Sequence, residues 1–173
     1  MVFGGLEALK SKELRRLFDE RRCLWSTLYV SLEGLIAKFD MVLEKITLEG
    51  YDALKKVLEG SKTRTVILFT GSKDSASGRS WCPDCVQAEP VIGKVMHELS
   101  TSSFAEQNNM RYIECSVGPR EYWKDPKNSF RIDEKLKISC IPTLLEYGVK
   151  GKKLVESQLT NEVLVKEFFV EDE

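Results

Sequence analysis

The apolar run Val66-Ile67-Leu68-Phe69 precedes Trp81-Cys82-Pro83-Asp84-Cys85, and a stretch with helical spacing, Val86 to Leu99, follows it. This order constrains the chain more than any other feature, because a buried strand that feeds a helix belongs to a layered α/β fold. It also places Cys82 at the start of the helix, where unpaired backbone N–H groups and the helix dipole favour an anion. A thiol so placed can fall from a pKa of about 8.5 into roughly the 3.5–7.5 range. Cys82 is therefore the expected nucleophile. Cys85 lies one turn further along the same helix face, within reach of a mixed disulfide formed on Cys82, and is the expected resolving thiol.

Two cysteines at this spacing also serve zinc sites, which need two further ligands. Cys23, Cys115, Cys140 and His97 are scattered singly, so no metal site is expected. The redox reading is sharpened by Ile141-Pro142-Thr143, which leads into Leu144-Leu145. An X-Pro bond at the start of a strand is a candidate cis peptide.

The CxxC segment, the proline at position 142 and the strand–helix order resemble the thioredoxin superfamily. Four motifs narrow the resemblance to the branch of small thioredoxin-related proteins that includes the Clot proteins. They are Phe69-Thr70-Gly71-Ser72-Lys73-Asp74, Trp81-Cys82-Pro83-Asp84-Cys85-Val86-Gln87-Ala88-Glu89-Pro90, Tyr122-Trp123-Lys124-Asp125-Pro126 and Pro142-Thr143-Leu144-Leu145. The resemblance covers residues 41–173. It implies a thioredoxin-like α/β fold, with a central mixed β-sheet flanked by helices. It further implies a disulfide reductase whose catalytic thiols are Cys82 and Cys85, whose Trp81 covers the motif, and whose Ile141-Pro142 presents backbone to the substrate. Its substrates would be small disulfides, selected protein disulfides and modified thiols. It would bind no cofactor and would draw electrons from NADPH through thioredoxin reductase. The competing class is a binding module in which the dithiol is a redox switch on a partner contact.

Composition agrees with one domain plus an extra segment: 173 residues, 42% apolar, 31% charged, and a net charge of −1. Charges of both signs are interleaved, so neither nucleic acid nor a membrane is an expected partner, and a monomer is expected. Five cysteines, an odd number, do not suggest a secreted disulfide scaffold. A cytoplasmic location fits better. Residues 1–40 carry Leu14, Leu17, Phe18, Leu24, Trp25, Leu28 and Leu32 at intervals near three and four, which reads as an N-terminal extension, helical or disordered. Its acidic residues and mixed-charge leader are poor targeting architecture.

From Met41 the pattern predicts a short apolar piece at 42–46, a helix over 48–58, strands at 65–69 and 110–116, and a short helix over 128–136. Strands at 143–147 and 153–157 and a helix over 161–169 complete the order, and Pro90 is expected to kink the motif helix. Three departures from ordinary thioredoxins are visible. Leu68 stands where those proteins usually place a buried Asp, so the proton acceptor for Cys85 stays open between another group, water and Asp84. Pro83 and Asp84 replace Gly-Pro and are expected to tune the redox potential, since Pro83 lacks an N–H and a carboxylate at Asp84 disfavours a thiolate. The eleven residues Thr70 to Ser80 form a longer link than usual, expected as a loop that limits access to Cys82. Trp123 is read first as a packed aromatic and second as a docking surface. Cys140 is expected as a quiet, partly buried thiol, Cys115 as a core residue, and His97 as a solvated side chain without a catalytic partner.

Overall fold

The computed structural model describes residues 43–102, 104 and 109–170; the expected N-terminal extension, Cys23 within it, and its boundary at Met41 lie outside the described residues. Five strands form one mixed sheet: β1 Glu44–Glu49, β2 Arg64–Thr70, β3 Met110–Ser116, β4 Thr143–Glu146 and β5 Lys153–Val155. Their spatial order is β1-β3-β2-β4-β5, with β1, β3 and β2 parallel and β4 and β5 antiparallel. The helices are α1 Tyr51–Leu58, α2 Pro83–Thr101, α3 Arg120–Lys124, α4 Ser129–Ile132 and α5 Glu162–Val170, with a 3₁₀ turn at Glu156–Thr160. This is the thioredoxin-like arrangement that the sequence predicts. No helix among the described residues is long and apolar enough to cross a membrane.

β2 is central because both of its faces are apolar, and the period of two divides them cleanly. Ile67 and Phe69 face a core with Leu54 and Leu58 of α1, Trp123 of α3 and Phe130 of α4. Val66 and Leu68 face a second core with Ala88, Ile92 and Val95 of α2 and Val165 and Phe169 of α5. The start of α2 crosses the end of the sheet, so Cys82 and Cys85 belong to the first core while the rest of α2 packs in the second. The parallel strands end on the side of the sheet where β4 begins: Phe69 is level with Cys115 on β3 and with Thr143 on β4. Loops from several strands therefore converge at one edge.

One buried charge locks β2 to the C-terminal half. Glu146 is 6% exposed. It takes Arg64 in a two-pronged pair, at 3.1 Å to Nε and 3.0 Å to Nη2, and Lys152 at 3.1 Å. The remaining Arg64 Nη1 donates to the Phe169 carbonyl at 3.0 Å, holding α5 against the sheet. A planar guanidinium suits this task because its fork matches a carboxylate and leaves donors over.

Several boundaries differ from the sequence prediction for local reasons. Leu48 extends β1, where it pairs with Cys115, and Gly50 at φ 87° ends that strand so that α1 starts at Tyr51. The predicted helix over 128–136 stops at Ile132 because the Asp133 carboxylate takes the Lys135 and Leu136 N–H groups at 2.8 and 3.1 Å and turns the chain. The same carboxylate receives the Tyr51 hydroxyl at 2.7 Å and Lys55 at 3.2 Å, tying α1 to this turn. β5 ends at Val155, two residues early, because Glu156 takes a positive φ of 49°. α2 continues through Pro90, which lies on its exposed side where the missing bond costs least.

Candidate active site

Cys82 is the N-cap of α2, with φ −91° and ψ 113°, and Pro83 occupies the first helical position, where its missing N–H is not needed. The Cys82 sulfur accepts the Cys85 backbone N–H at 3.3 Å, taking the place of the usual capping oxygen. Its thiol also reaches the Ile141 carbonyl at 3.6 Å, and the Ile141-Pro142 peptide is cis. The cysteine pair and the proline loop, far apart in sequence, thus meet at the converging edge.

Beneath the motif the backbone is packed to its limit. A Cβ on Gly71 would lie 2.8 Å from Ser80 Oγ, 2.9 Å from Trp81 Cε2 and 3.2 Å from Cys82 Cβ. Only glycine fits there. Ser80 Oγ donates to the Gly71 carbonyl at 2.9 Å and accepts the Cys82 N–H at 3.2 Å, bridging the end of β2 to the motif. The Trp81 indole N–H donates to the Gly118 carbonyl at 3.0 Å, which fixes the ring against the loop after β3. Residues 73–79 form a closed exposed turn in which the Asp74 carboxylate takes the Ala76 and Ser77 N–H groups at 3.1 and 2.8 Å. Lys73 pairs with Glu89 of α2.

The motif opens onto a hollow of about 360 Å³. Trp81, Cys82 and Pro83 form one wall, Ile141 and Cys140 another, and Arg120, Trp123, Asp84 and Glu156 stand around them. None of residues 70–80 lines it; Gly71 and Ser80, at the two ends of the long link, pack against the motif instead. Trp123 is the packed aromatic that the sequence predicts first: only 8% exposed, it is core on one side and hollow wall on the other. The Arg131 guanidinium covers its ring at 4.3 Å and donates to the Ser139 carbonyl at 2.8 Å, joining the α3 and proline walls.

The two thiols differ sharply in proton affinity. The Cys82 thiol is lowered to about 7. The hydrogen bond from the Cys85 side chain is the largest cause; burial opposes it, the Cys85 and Asp84 backbone N–H groups add to it, and the Asp84 carboxylate raises it. Cys85 is raised because its proton is held on the Cys82 sulfur, and burial adds to that; contacts from the Gly71 backbone and Thr70 side chain pull the other way without reversing it. The pair therefore gives up its first proton from Cys82 as pH rises through about 7, leaving one shared proton and the charge at the helix N-terminus.

A family model described as "Thioredoxin domain-containing protein 17-like, thioredoxin domain" matches residues 47–171. The chain belongs to this family. Thioredoxin domain-containing protein 17 of Homo sapiens is 42% identical over 130 residues, covering 75% of this chain and 97% of that protein. Its Danio rerio counterpart is 38% identical over 130 residues, with the same coverage of 75% and 97%. The thioredoxin-like protein Clot of Arabidopsis thaliana is 36% identical over 121 residues, 65% of this chain and 85% of that protein. A thioredoxin-like redox role of the oxidoreductase type goes with this membership.

Trp81, Cys82, Pro83, Asp84 and Ile141 line the hollow together, and Pro142 follows Ile141 across the cis peptide. Cys115 is fully buried and its thiol is pushed up to about 12, chiefly by burial, so it is inert core. Cys140 is half-buried beside Thr143 Oγ1 at 4.0 Å, and His97 is exposed on α2. Sequence reasoning missed Gly71, Ser80, Arg120 and Glu156. Gly71 stands inside one of the recognised motifs, but its need for a bare Cα depends on a loop that returns to touch it.

Proposed function

We propose that this protein is a thiol–disulfide oxidoreductase of the reductase type, acting on small disulfides and on selected protein disulfides and modified thiols. The observation that carries the reading is the Cys82 sulfur, lowered to about 7 at a helix N-cap and sharing the proton of Cys85. The Cys82 thiolate attacks one sulfur of the substrate disulfide; a Cys82–substrate S–S bond forms, the substrate S–S bond breaks, and the leaving thiolate takes a proton from solvent. Cys85 then gives up its proton and attacks the Cys82 sulfur. The Cys82–Cys85 disulfide forms, the second substrate thiol leaves, and two electrons have passed from dithiol to substrate. Thioredoxin reductase, drawing on NADPH, returns them.

Pro83 and Asp84 both adjust this exchange. Pro83 fits the first helical position without an unused donor, and the Asp84 charge destabilises the thiolate, making the oxidised pair easier to hold. Trp81, Ile141 and Pro142 bind the substrate on either side of the sulfur. Cys82 as a residue is 4% exposed and opens onto a hollow of modest volume, which favours small or extended disulfides over those set in a folded surface. A reducing cytoplasm suits such a dithiol, and nothing in the reaction needs a second protomer.

The test is NADPH oxidation by the purified protein with thioredoxin reductase, offering cystine or insulin. Turnover of cystine with little reduction of insulin is expected. No turnover of either overturns the reductase reading and favours the redox-switched binding module.

A further inference from the structure

The four carbonyls around the turn at Pro142 are each held from a different quarter. Ser139 takes Arg131 Nη1 at 2.8 Å, Cys140 takes the Thr143 hydroxyl at 2.7 Å, Ile141 takes the Cys82 thiol at 3.6 Å, and Pro142 takes the Glu156 N–H at 2.8 Å. One of these holds fails during the reaction, because a Cys82 thiolate has no proton to give the Ile141 carbonyl. The turn then depends on the other three. Among them, Arg131 alone reaches in with a side chain from outside the turn and the strand that it enters.

Arg131 belongs to α4 and is placed there by its neighbours. Asn128, 2% exposed, caps α4 by accepting the Arg131 N–H at 3.1 Å, and its amide donates to the Trp123 and Asp125 carbonyls at 3.0 and 2.9 Å. The Ile138 N–H donates to the Phe130 carbonyl at 3.0 Å, which brings Ser139 back beside α4. The guanidinium then lies over the Trp123 ring at 4.3 Å, with Nε donating to the Trp123 carbonyl at 3.4 Å and Nη1 to Ser139. A planar fork can cover a ring and bond two carbonyls at once, which a single ammonium cannot.

We infer that Arg131 is a positioning residue for the exchange, one that holds the Ile141-Pro142 turn in place against Trp123 and Cys82 so that an extended peptide lies across the sulfur in register. It lines no part of the hollow and bonds neither thiol, so it acts through the turn. This assignment rests on the proposed part of Ile141 and Pro142 in binding substrate. A disulfide too small to engage the turn gains nothing from Arg131, whereas a cysteine within a peptide is aligned by it.

Two uncharged disulfides separate positioning from the reactivity of the sulfur: bis(2-hydroxyethyl) disulfide and the disulfide dimer of an end-blocked Gly-Ala-Cys-Ala-Gly peptide. The rate read is single-turnover oxidation of the pre-reduced full chain, by acid quench and mass, well below the Tm of every variant. Arg131→Lys and Arg131→Ala are expected to lower the peptide rate about five- to twentyfold and to leave the hydroxyethyl rate within about twofold. Lysine keeps the charge, so its failure to restore the peptide rate separates the fork from the charge. A role confined to stability lowers Tm and leaves the ratio of the two rates where it is in the unsubstituted protein. A ratio unchanged within about 1.5-fold in both variants, or restored by lysine, overturns the inference while exchange at Cys82 stands. An equal fall with both disulfides overturns it too. Should the alanine variant fail to fold, the lysine variant decides by the same ratio. Absence of reaction with either disulfide in the unsubstituted protein overturns the exchange reading and this inference together.

Discussion

Replacing Cys82 with serine is expected to abolish disulfide turnover, by more than about a thousandfold, because a hydroxyl at neutral pH offers almost no anion to attack sulfur. Cys85→Ser is expected to fail differently. Serine still presents a donor to the Cys82 sulfur, so the contact that most lowers that thiol is retained in kind. The first attack then proceeds, but no second thiol resolves it. The variant accumulates as a one-to-one mixed disulfide with its substrate, readable as a mass increase of one half-disulfide that a reductant removes. Turnover unaffected by Cys82→Ser would remove the nucleophile assigned here; a Cys85→Ser protein that neither turns over nor gains mass would remove the two-step mechanism.

Gly71→Ala is the second large effect, and it acts on structure first. The added methyl meets Ser80 Oγ at 2.8 Å and Trp81 Cε2 at 2.9 Å. Neither can yield cheaply: Ser80 holds both the Gly71 carbonyl and the Cys82 N–H, and the Trp81 ring is pinned by its bond to Gly118. Overpacking of this kind costs about 1–3 kcal/mol, or a fall in Tm of about 3–10 °C for a domain of this size. Gly93→Ala in α2 provides the contrast, since nothing lies within 4 Å of its Cβ and alanine is the better helix former. It is expected to leave Tm level or raise it slightly. Equal melting temperatures for both variants would contradict the close approach beneath the motif.

The two thiols, the strand before them and the cis proline were legible in the sequence because each is written locally, as a spacing, an apolar run or an X-Pro pair. The departures at the helix and strand ends have a common cause. The Asp133 carboxylate stops a helix by capturing the N–H groups of the next turn, and Glu156 ends β5 by bending back toward Pro142. Periodicity does not register either event. Arg120 and Glu156 escaped for the same reason as Gly71: their proximity to Cys82 is made by the strand order, not by any short motif. The long link from Thr70 to Ser80 shows the converse, since its length was plain but the closing of its two ends against the motif depends on Ser80 reaching Gly71.

Disulfide exchange at this site depends most directly on an asymmetry between two neighbouring thiols, and alkylation by iodoacetamide across pH, resolved cysteine by cysteine by mass spectrometry, measures it. Cys82 in the native, reduced protein is predicted to react with a rate that rises through a midpoint near pH 7 and then levels, while Cys85 and Cys115 stay unmodified over the same range. A Cys82 rate still climbing at pH 9, as for an ordinary thiol, or modification of Cys85 ahead of Cys82, would contradict it.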